Sequence, residues 1–352
     1  APKEVESIDG VDIVVGTTDR HKIVDLCEKA KAENKKINIV KDIKGHKEFE
    51  SLNISDLQHK TRAYIKIQEG CNQYCSYCII PYARGPIRSR DLEDIILETE
   101  RLARAGFKEI ILSGIHVASY GKDLRNVTLT DVIEEVAKID EIRRIRLSSI
   151  EPTFIDRNFM ERVISTKKLC DHFHLSLQSG SNTVLKRMNR KYTTEDYQEI
   201  VNLIREYMPD AGITTDIIVG FPGETDEEFN ETYQFVKDIH FSRIHVFKYS
   251  PRKGTPASKF KDQIHGDIKN ERSDRLIHLG EELMKDFNKR FVGRTLEVLL
   301  EDKKDGFIEG YTTNYIRVKV KYEYEDDLQG RVLPIKTTRY DEDFLLGEIE
   351  EF

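Results

Sequence analysis

An α/β fold built from six β/α units, with a small five-stranded β-barrel behind it, is what this sequence predicts. Three observations carry that expectation. Strand-like and helix-like runs alternate from Ala63 onward, polar residues and glycines gather where the strands end, and after Arg290 the pattern changes to short strands alone. Alternation of β and α implies a parallel sheet with helices outside it, and six units fall short of the eight of a full TIM barrel.

The first predicted strand is Ala63-Tyr64-Ile65-Lys66-Ile67, followed by a loop holding three cysteines and a helix opening near Asp91. Further strands are expected at Glu109–Ser113, Arg144–Ser148, Phe173–Leu177, Thr214–Val219 and Arg243–Phe247. Amphipathic stretches such as Leu92–Ala105 and Thr194–Tyr207 lie between them. The strand ends carry Ser113-Gly114-Ile115-His116, Ser148-Ser149-Ile150-Glu151-Pro152, Gln178-Ser179-Gly180-Ser181 and Gly220-Phe221-Pro222-Gly223-Glu224-Thr225. Parallel α/β barrels build their active sites from these C-terminal loops. One polar end is a simple turn; four in succession on the face that bears the cysteines favour a site.

A long Glu-, Lys- and Leu-rich helical pattern runs from Asp267 to Arg290. Strands at Thr295–Leu300, Gly306–Gly310, Tyr315–Val320, Gly330–Tyr340 and Leu345–Glu348 then complete a small barrel. The first ~50 residues form a third region, with a strand-like run at Val11–Gly16 and a helix from Arg20. The expected division is 1–50, 51–290 and 291–352.

The 352 residues suffice for two or three domains. Hydrophobic residues at 38% and charged residues at 34% suit a globular chain, and there is no membrane-length apolar run or signal-peptide pattern. Five cysteines, three of them clustered, point to a reducing compartment with metal chemistry, so cytoplasm is expected and a membrane partner is not. The net charge of -7 argues mildly against wholesale nucleic-acid binding. Basic residues nevertheless cluster at Arg84, Arg88 and Arg90; at Arg143, Arg144 and Arg146; at Lys186, Arg187, Arg190 and Lys191; and at Lys248, Arg252 and Lys253. Acidic residues collect at Glu323–Asp327 and from Asp341 to Glu351. Local basic patches bind phosphates on an acidic protein, although solvated surface charge is the ordinary reading of any single cluster.

The run Gly70-Cys71-Asn72-Gln73-Tyr74-Cys75-Ser76-Tyr77-Cys78 is the most specific signal. Thiolates are soft ligands for zinc or iron–sulfur clusters, and this spacing lets three of them converge on one small centre. Structural zinc and electron-transfer clusters take four protein ligands, so three cysteines with no local fourth fit a [4Fe–4S] cluster with one open iron. Three ordinary thiols, or zinc completed by a distant histidine, are the alternatives.

The Cys-x3-Cys-x2-Cys spacing with Tyr77 before the last cysteine resembles the radical S-adenosylmethionine (SAM) superfamily. That resemblance implies a TIM-like partial (β/α)6 barrel and a cluster whose open iron binds SAM and cleaves it to a 5′-deoxyadenosyl radical. It narrows at Gly70 through Gly85, Leu175-Ser176-Leu177-Gln178-Ser179-Gly180, Met188-Asn189-Arg190-Lys191-Tyr192 and Asp216 through Thr225, which look like the radical SAM methylthiotransferases. The C-terminal strands are similar to their RNA-binding TRAM domain. Cys78 through Gly85, Gly114 through Gly121 and Tyr311-Thr312-Thr313-Asn314-Tyr315 look closest to the branch that modifies threonylcarbamoyladenosine at tRNA position 37. The alternatives are a methylthiotransferase acting on another tRNA adenosine or on a ribosomal protein, and an RNA-binding protein with a structural metal site.

The resemblance implies that Cys71, Cys75 and Cys78 hold the cluster, and that Tyr77, Ser113, Gly114, Ser149, Glu151, Gln178, Ser179, Arg190 and Asp216 surround SAM. Arg190 has the planar fork that suits the SAM carboxylate, a surface salt bridge being the plainer alternative. His116, His172 and His174 lack paired ligand spacing and read as ordinary histidines. Tyr311, Asn314, Tyr315, Arg317 and Lys319 offer stacking faces, amides and cations for an anticodon stem-loop. The family also carries an N-terminal domain with a second [4Fe–4S] cluster. Here only Cys27 precedes Cys71, and it reads as a half-buried helix residue, so the expectation is that the chain starts after those ligands. A flavodoxin or ferredoxin is the expected electron donor.

Overall fold

The computed structural model describes residues 2–50, 61–322 and 327–350. The 50/51 division and most of the acidic run 323–327 lie outside the described residues. The N-terminal region is α1 (Pro2–Glu6), β1 (Ile13–Val14), α2 (Ile23–Glu33) and β2 (Ile37–Asn38), with β1 and β2 paired in parallel. Of α2 only Ala30 is buried. Cys27 is exposed, not half-buried.

The central body runs β3 (Arg62–Glu69), α3 (Ile80–Arg84), β4 (Arg88–Ser89), α4 (Leu92–Arg104), β5 (Glu109–Gly114), α5 (Leu129–Ala137), β6 (Arg144–Leu147), α6 (Arg157–Ser165) and β7 (His172–His174). It continues through α7 (Asn182–Arg187), α8 (Thr194–Tyr207), β8 (Gly212–Val219), α9 (Asp226–Ile239), β9 (Arg243–Lys248) and α10 (Gly266–Lys289). Strands β3, β5 and β6 pair in parallel, as do β7, β8 and β9. Single parallel bridges, Ile145 to Leu169 and Ile150 to Leu175, join the two sheets into one six-stranded succession. The short antiparallel β4 extends the β3 edge.

The helices start where capping chemistry dictates. Asp91, Thr128, Thr193 and Thr225 each accept a backbone N–H in the first turn of α4, α5, α8 and α9, the three threonines within reciprocal capping boxes. Apolar residues on the outer strand faces, such as Ile65, Leu112, Ile145, Phe173 and Ile217, form one core with the helices. The opposite faces look into the barrel and carry polar residues such as Lys66, Arg146, His174 and Asp216 beside a few apolar ones.

The predicted strand Phe173–Leu177 is shorter than expected: β7 ends at His174, and Leu175 and Gln178 make only isolated bridges. Beyond α10, β10 (Thr295–Lys304), β11 (Phe307–Thr312), β12 (Arg317–Lys321), β13 (Val332–Asp341) and β14 (Phe344–Ile349) close into a barrel in the order β10-β11-β12-β14-β13. Its core is separate, built on Val298, Leu300, Ile308, Val318, Ile335 and Leu345. Among the described residues no helix is long and apolar enough to cross a membrane.

Candidate active site

The cysteine loop leaves β3 through Gly70, whose φ of 75° and whose place against Pro86 exclude a side chain: a Cβ there would lie 1.9 Å from the Pro86 carbonyl oxygen. Gln68, fully buried, donates to the Glu69 and Gly70 carbonyls at 2.8 Å each and accepts the His116 N–H at 2.8 Å. One side chain thus fixes both the cysteine loop and the loop after β5. The far side of the loop is held by the Ser76 N–H on the Met188 carbonyl (3.0 Å) and the Ala257 N–H on the Ser76 carbonyl (2.8 Å). Tyr77 sits in a small apolar cluster with Val184, Met188, Phe221, Tyr249 and Ala257. It anchors the loop by packing.

All three loop cysteines are free thiols. Burial, then the proximity of Cys75 and Cys78, pushes the Cys71 thiol up to about 11 against the pull of the Gln73 N–H. Cys78 is raised as well, burial leading. Thiolates crowded in this way call for a cationic group between them, and three soft donors suit iron. Among the described residues, no three His, Cys, Asp or Glu side chains are grouped to hold a single metal ion; the thiolates of a cubane cluster bind three different irons. The donor set fits the cluster.

Beside Cys75 lies a buried polar hub. Arg190 points Nη1 at the Cys75 sulfur (3.4 Å), donates Nε to the Tyr192 hydroxyl (3.0 Å) and lies 3.5 Å from Glu151. Glu151 also accepts from the Gln73 amide (2.6 Å) and pairs with His116 Nε2 (2.8 Å). Burial opposes the Glu151 charge, but the His116 hydrogen bond and the Arg190 charge outweigh it and hold the carboxyl below its ordinary range. The hub unites residues from four loops. Gln73, His116, Gln68 and Tyr192 are not singled out as site residues by the sequence, in which His116 reads as an ordinary histidine. Its signal was its place two residues past the end of β5.

The remaining expected site residues divide. Ser113 and Gly114 end β5 half-exposed, the Ser113 hydroxyl 3.3 Å from the Ile65 carbonyl. Ser149 is exposed. Gln178 adopts a φ of 71° and uses its backbone to bridge Asp216 and Ile218. That left-handed turn sends Ser179 away from the barrel: buried, it bonds the Thr232 hydroxyl of α9 at 3.1 Å. Ser179, expected beside SAM, here ties its loop to α9. Asp216 faces the barrel interior and pairs with His174 Nε2 at 3.1 Å, while His174 Nδ1 meets the Thr214 hydroxyl at 2.9 Å. A cleft of about 790 Å³ opens beside the cysteine loop, lined in part by Asn72, Gln73, Ser119, Lys122 and Lys44.

The five residues expected to bind RNA are placed otherwise. Asn314 is buried and donates to the Asp210 carbonyl at 3.1 Å. Tyr315 lies 4.7 Å from the His172 ring, stacks on Tyr311 at 4.9 Å and has Arg146 over its face at 4.7 Å. Tyr311 also carries Arg62 at 5.0 Å. These three pack in the seam between the small barrel and the N-terminal ends of the strands, with Tyr311 and Tyr315 still partly exposed. Arg317 and Lys319 both pair with Glu309, at 2.5 and 3.2 Å, and Arg317 also lies 3.4 Å from Asp343, so two carboxylates face these two cations. Arg144 and Arg146, part of a basic cluster in the sequence, are buried in the same seam on Glu109 and on the carbonyls of Tyr311, Thr312 and Thr313.

Residues 65–236 match the radical SAM superfamily. The chain is 42% identical over 342 residues to the threonylcarbamoyladenosine tRNA methylthiotransferase MtaB of Bacillus subtilis (strain 168), spanning 96% of this chain and 75% of that protein. It is 40% identical to the MtaB of Aquifex aeolicus (strain VF5), over 90% of this chain and 76% of that one. It is also 40% identical to the tRNA-2-methylthio-N(6)-dimethylallyladenosine synthase of Pelotomaculum thermopropionicum, over 93% of this chain and 73% of that protein. With a cysteine triad at the mouth of a six-stranded parallel barrel, and likeness of this order along nearly its whole length, the chain belongs to the radical SAM methylthiotransferase family.

Proposed function

We propose that this protein places a methylthio group at C2 of N6-threonylcarbamoyladenosine at position 37 of tRNA. The observation that carries the reading is the buried Arg190–Glu151 hub set against the Cys75 thiol at the C-terminal ends of the strands, in a chain 42% identical to MtaB. When bound, the reduced cluster and SAM supply the radical that takes hydrogen from an unactivated carbon.

The chain's own residues prepare that chemistry. Cys71, Cys75 and Cys78 would hold one [4Fe–4S] cluster. Arg190 offers a planar fork to the SAM carboxylate, and Glu151, kept ionised, accepts from its amino group. Asp216 and Gln178 suit the ribose hydroxyls, and the Ser113–Gly114 backbone the amine. Burial of the hub excludes water from these contacts. Residues 51–290 then form the catalytic domain, 291–352 the RNA-binding TRAM domain and 1–50 part of the domain that carries the family's second cluster. A flavodoxin or ferredoxin would supply electrons in the cytoplasm.

Nucleoside mass spectrometry of tRNA from cells lacking the gene tests the reading. Threonylcarbamoyladenosine should accumulate as its 2-methylthio derivative disappears. Loss of the methylthio form of dimethylallyladenosine instead would assign the chain to the sister activity.

A further inference from the structure

The geometry points to the end of β9 and the loop after it, residues 247–261, as the seat of the RNA: Phe247 stacks the target base while Arg252 and Lys253 take flanking phosphates. This rests on the tRNA reading above and adds to it a surface outside the small barrel.

On β9, Ile244 and Val246 pack on the core, and Ile244 crowds Gly280 of α10. Arg243, His245 and Phe247 therefore take the opposite face, which looks into the barrel; His245 confirms the direction by lying 5.9 Å from the His174 ring. Phe247 is 53% exposed at the C-terminal rim, in register with Ile218 and so two residues above Asp216. A large aromatic ring left open on the inner face of a strand, beside the cofactor rim, is a platform in search of a flat partner. An adenine turned out of its stack to meet a radical is that partner.

The chain then runs Lys248 to Lys261 with five cations, Lys248, Arg252, Lys253, Lys259 and Lys261, and no acidic residue. The segment is built, not loose. The Thr255 N–H and hydroxyl both bond the Arg252 carbonyl, at 3.0 and 2.8 Å, and Ala257 is tied to Ser76 of the cysteine loop. Arg252 and Lys253 stand exposed on this turn, the latter with only a 3.7 Å approach to the exposed Glu4. By contrast, Arg317 and Lys319 of the small barrel face the carboxylates of Glu309 and Asp343. A polyanion crossing the barrel mouth meets unneutralised charge here.

The test compares Phe247→Ala, Phe247→Trp and the double variant Arg252→Glu/Lys253→Glu with wild type. All are prepared as the full-length protein, with dithionite as reductant and an anticodon stem-loop RNA carrying threonylcarbamoyladenosine. Cluster absorbance and melting temperature report folding. Phe247→Ala should lower kcat/KM for the RNA on the order of tenfold, with Phe247→Trp restoring it. The double variant should weaken stem-loop binding and reduce its salt slope by about two. Wild-type binding and turnover in folded variants would overturn the proposal. So would a defect seen only when a flavodoxin replaces dithionite, which would make the loop a docking site for an acidic electron donor. If wild type binds the RNA without methylthiolating it, the substrate reading fails, and the binding comparison still decides the seat.

Discussion

At the N-terminal ends of the barrel strands, Arg146 lies 2.7 Å from Glu109 and gives its remaining N–H groups to the Thr312 and Thr313 carbonyls. At the C-terminal ends, the Arg190 side chain is also largely buried, but its fork points at a thiol and sits 3.5 Å from its carboxylate. Both ends bury arginine with glutamate. At the lower end backbone carbonyls, fixed by the small barrel, finish the coordination, so the charge is structural. At the upper end the partners include Cys75, Gln73, His116 and Tyr192, groups that accept a ligand without unfolding anything, and the contact of Arg190 to the Ser176 backbone carbonyl is long at 3.5 Å. Buried charge costs free energy wherever it lies; which groups complete its hydrogen bonds separates a latch from a site.

Four substitutions sharpen the contrast, in order of effect. Cys71→Ala should abolish cluster absorbance and SAM cleavage together, whereas Cys170→Ala, at a thiol that burial pushes up to about 12 near Arg146, should leave both intact. Iron and sulfide analysis with 5′-deoxyadenosine assay checks this, and cluster retention in Cys71→Ala would break the ligand assignment. Arg190→Met should weaken SAM binding on the order of 10- to 100-fold, the worth of one or two charge-assisted hydrogen bonds, with little change in melting temperature, since Glu151 keeps Gln73 and His116. Arg146→Met should do the reverse. It leaves Glu109 in the seam with only the 3.8 Å approach of Arg144 and costs about 3 kcal/mol of stability by denaturant titration, while SAM affinity holds.

The strands, most helices, the small barrel and the cysteine triad were legible in the sequence because each repeats a local pattern. The hub was half legible. Glu151 and Arg190 stood out as polar residues near strand ends, but Gln73 lies inside the cysteine motif and His116 is a lone histidine, and only the closing of the barrel brings them onto one carboxylate. The placement of Ser179 was not legible because the chain's reversal depends on the left-handed conformation of Gln178, which nothing in residue type requires. The placement of Arg144, Arg146, Tyr311 and Tyr315 was not legible for a related reason. Arginine interleaved with tyrosine is the composition of an RNA face and equally of an interdomain seam, and pattern alone cannot tell which partner covers it.

The smallest expected effect is a difference in acid sensitivity between the two ends. His172 is buried in the lower seam, 4.7 Å from the Tyr315 ring, with Nε2 on the Thr214 hydroxyl and Nδ1 buried without a hydrogen-bond partner. Burial first, then the charge of Arg146 and the neighbouring His174 and His245, holds its pKa well below the ordinary histidine value. The folded state therefore refuses a proton that the unfolded chain takes up below about pH 6.5. Stability should fall as pH drops through that point, by up to about 1.4 kcal/mol per pH unit, and continue falling toward the folded-state pKa. His245, lowered chiefly by burial, adds a smaller contribution of the same sign. Glu151, held below its ordinary range, stays ionised across the same window, so the upper hub should keep its charge while the seam loosens. Melting temperatures from pH 7.5 to 5.5 measure the slope. His172→Phe keeps a ring against Tyr315, removes the unpaired nitrogen and leaves Thr214 bonded to His174, so it should fold and show a flatter slope. An unchanged slope would move the acid response out of the seam and end the distinction drawn between the two ends.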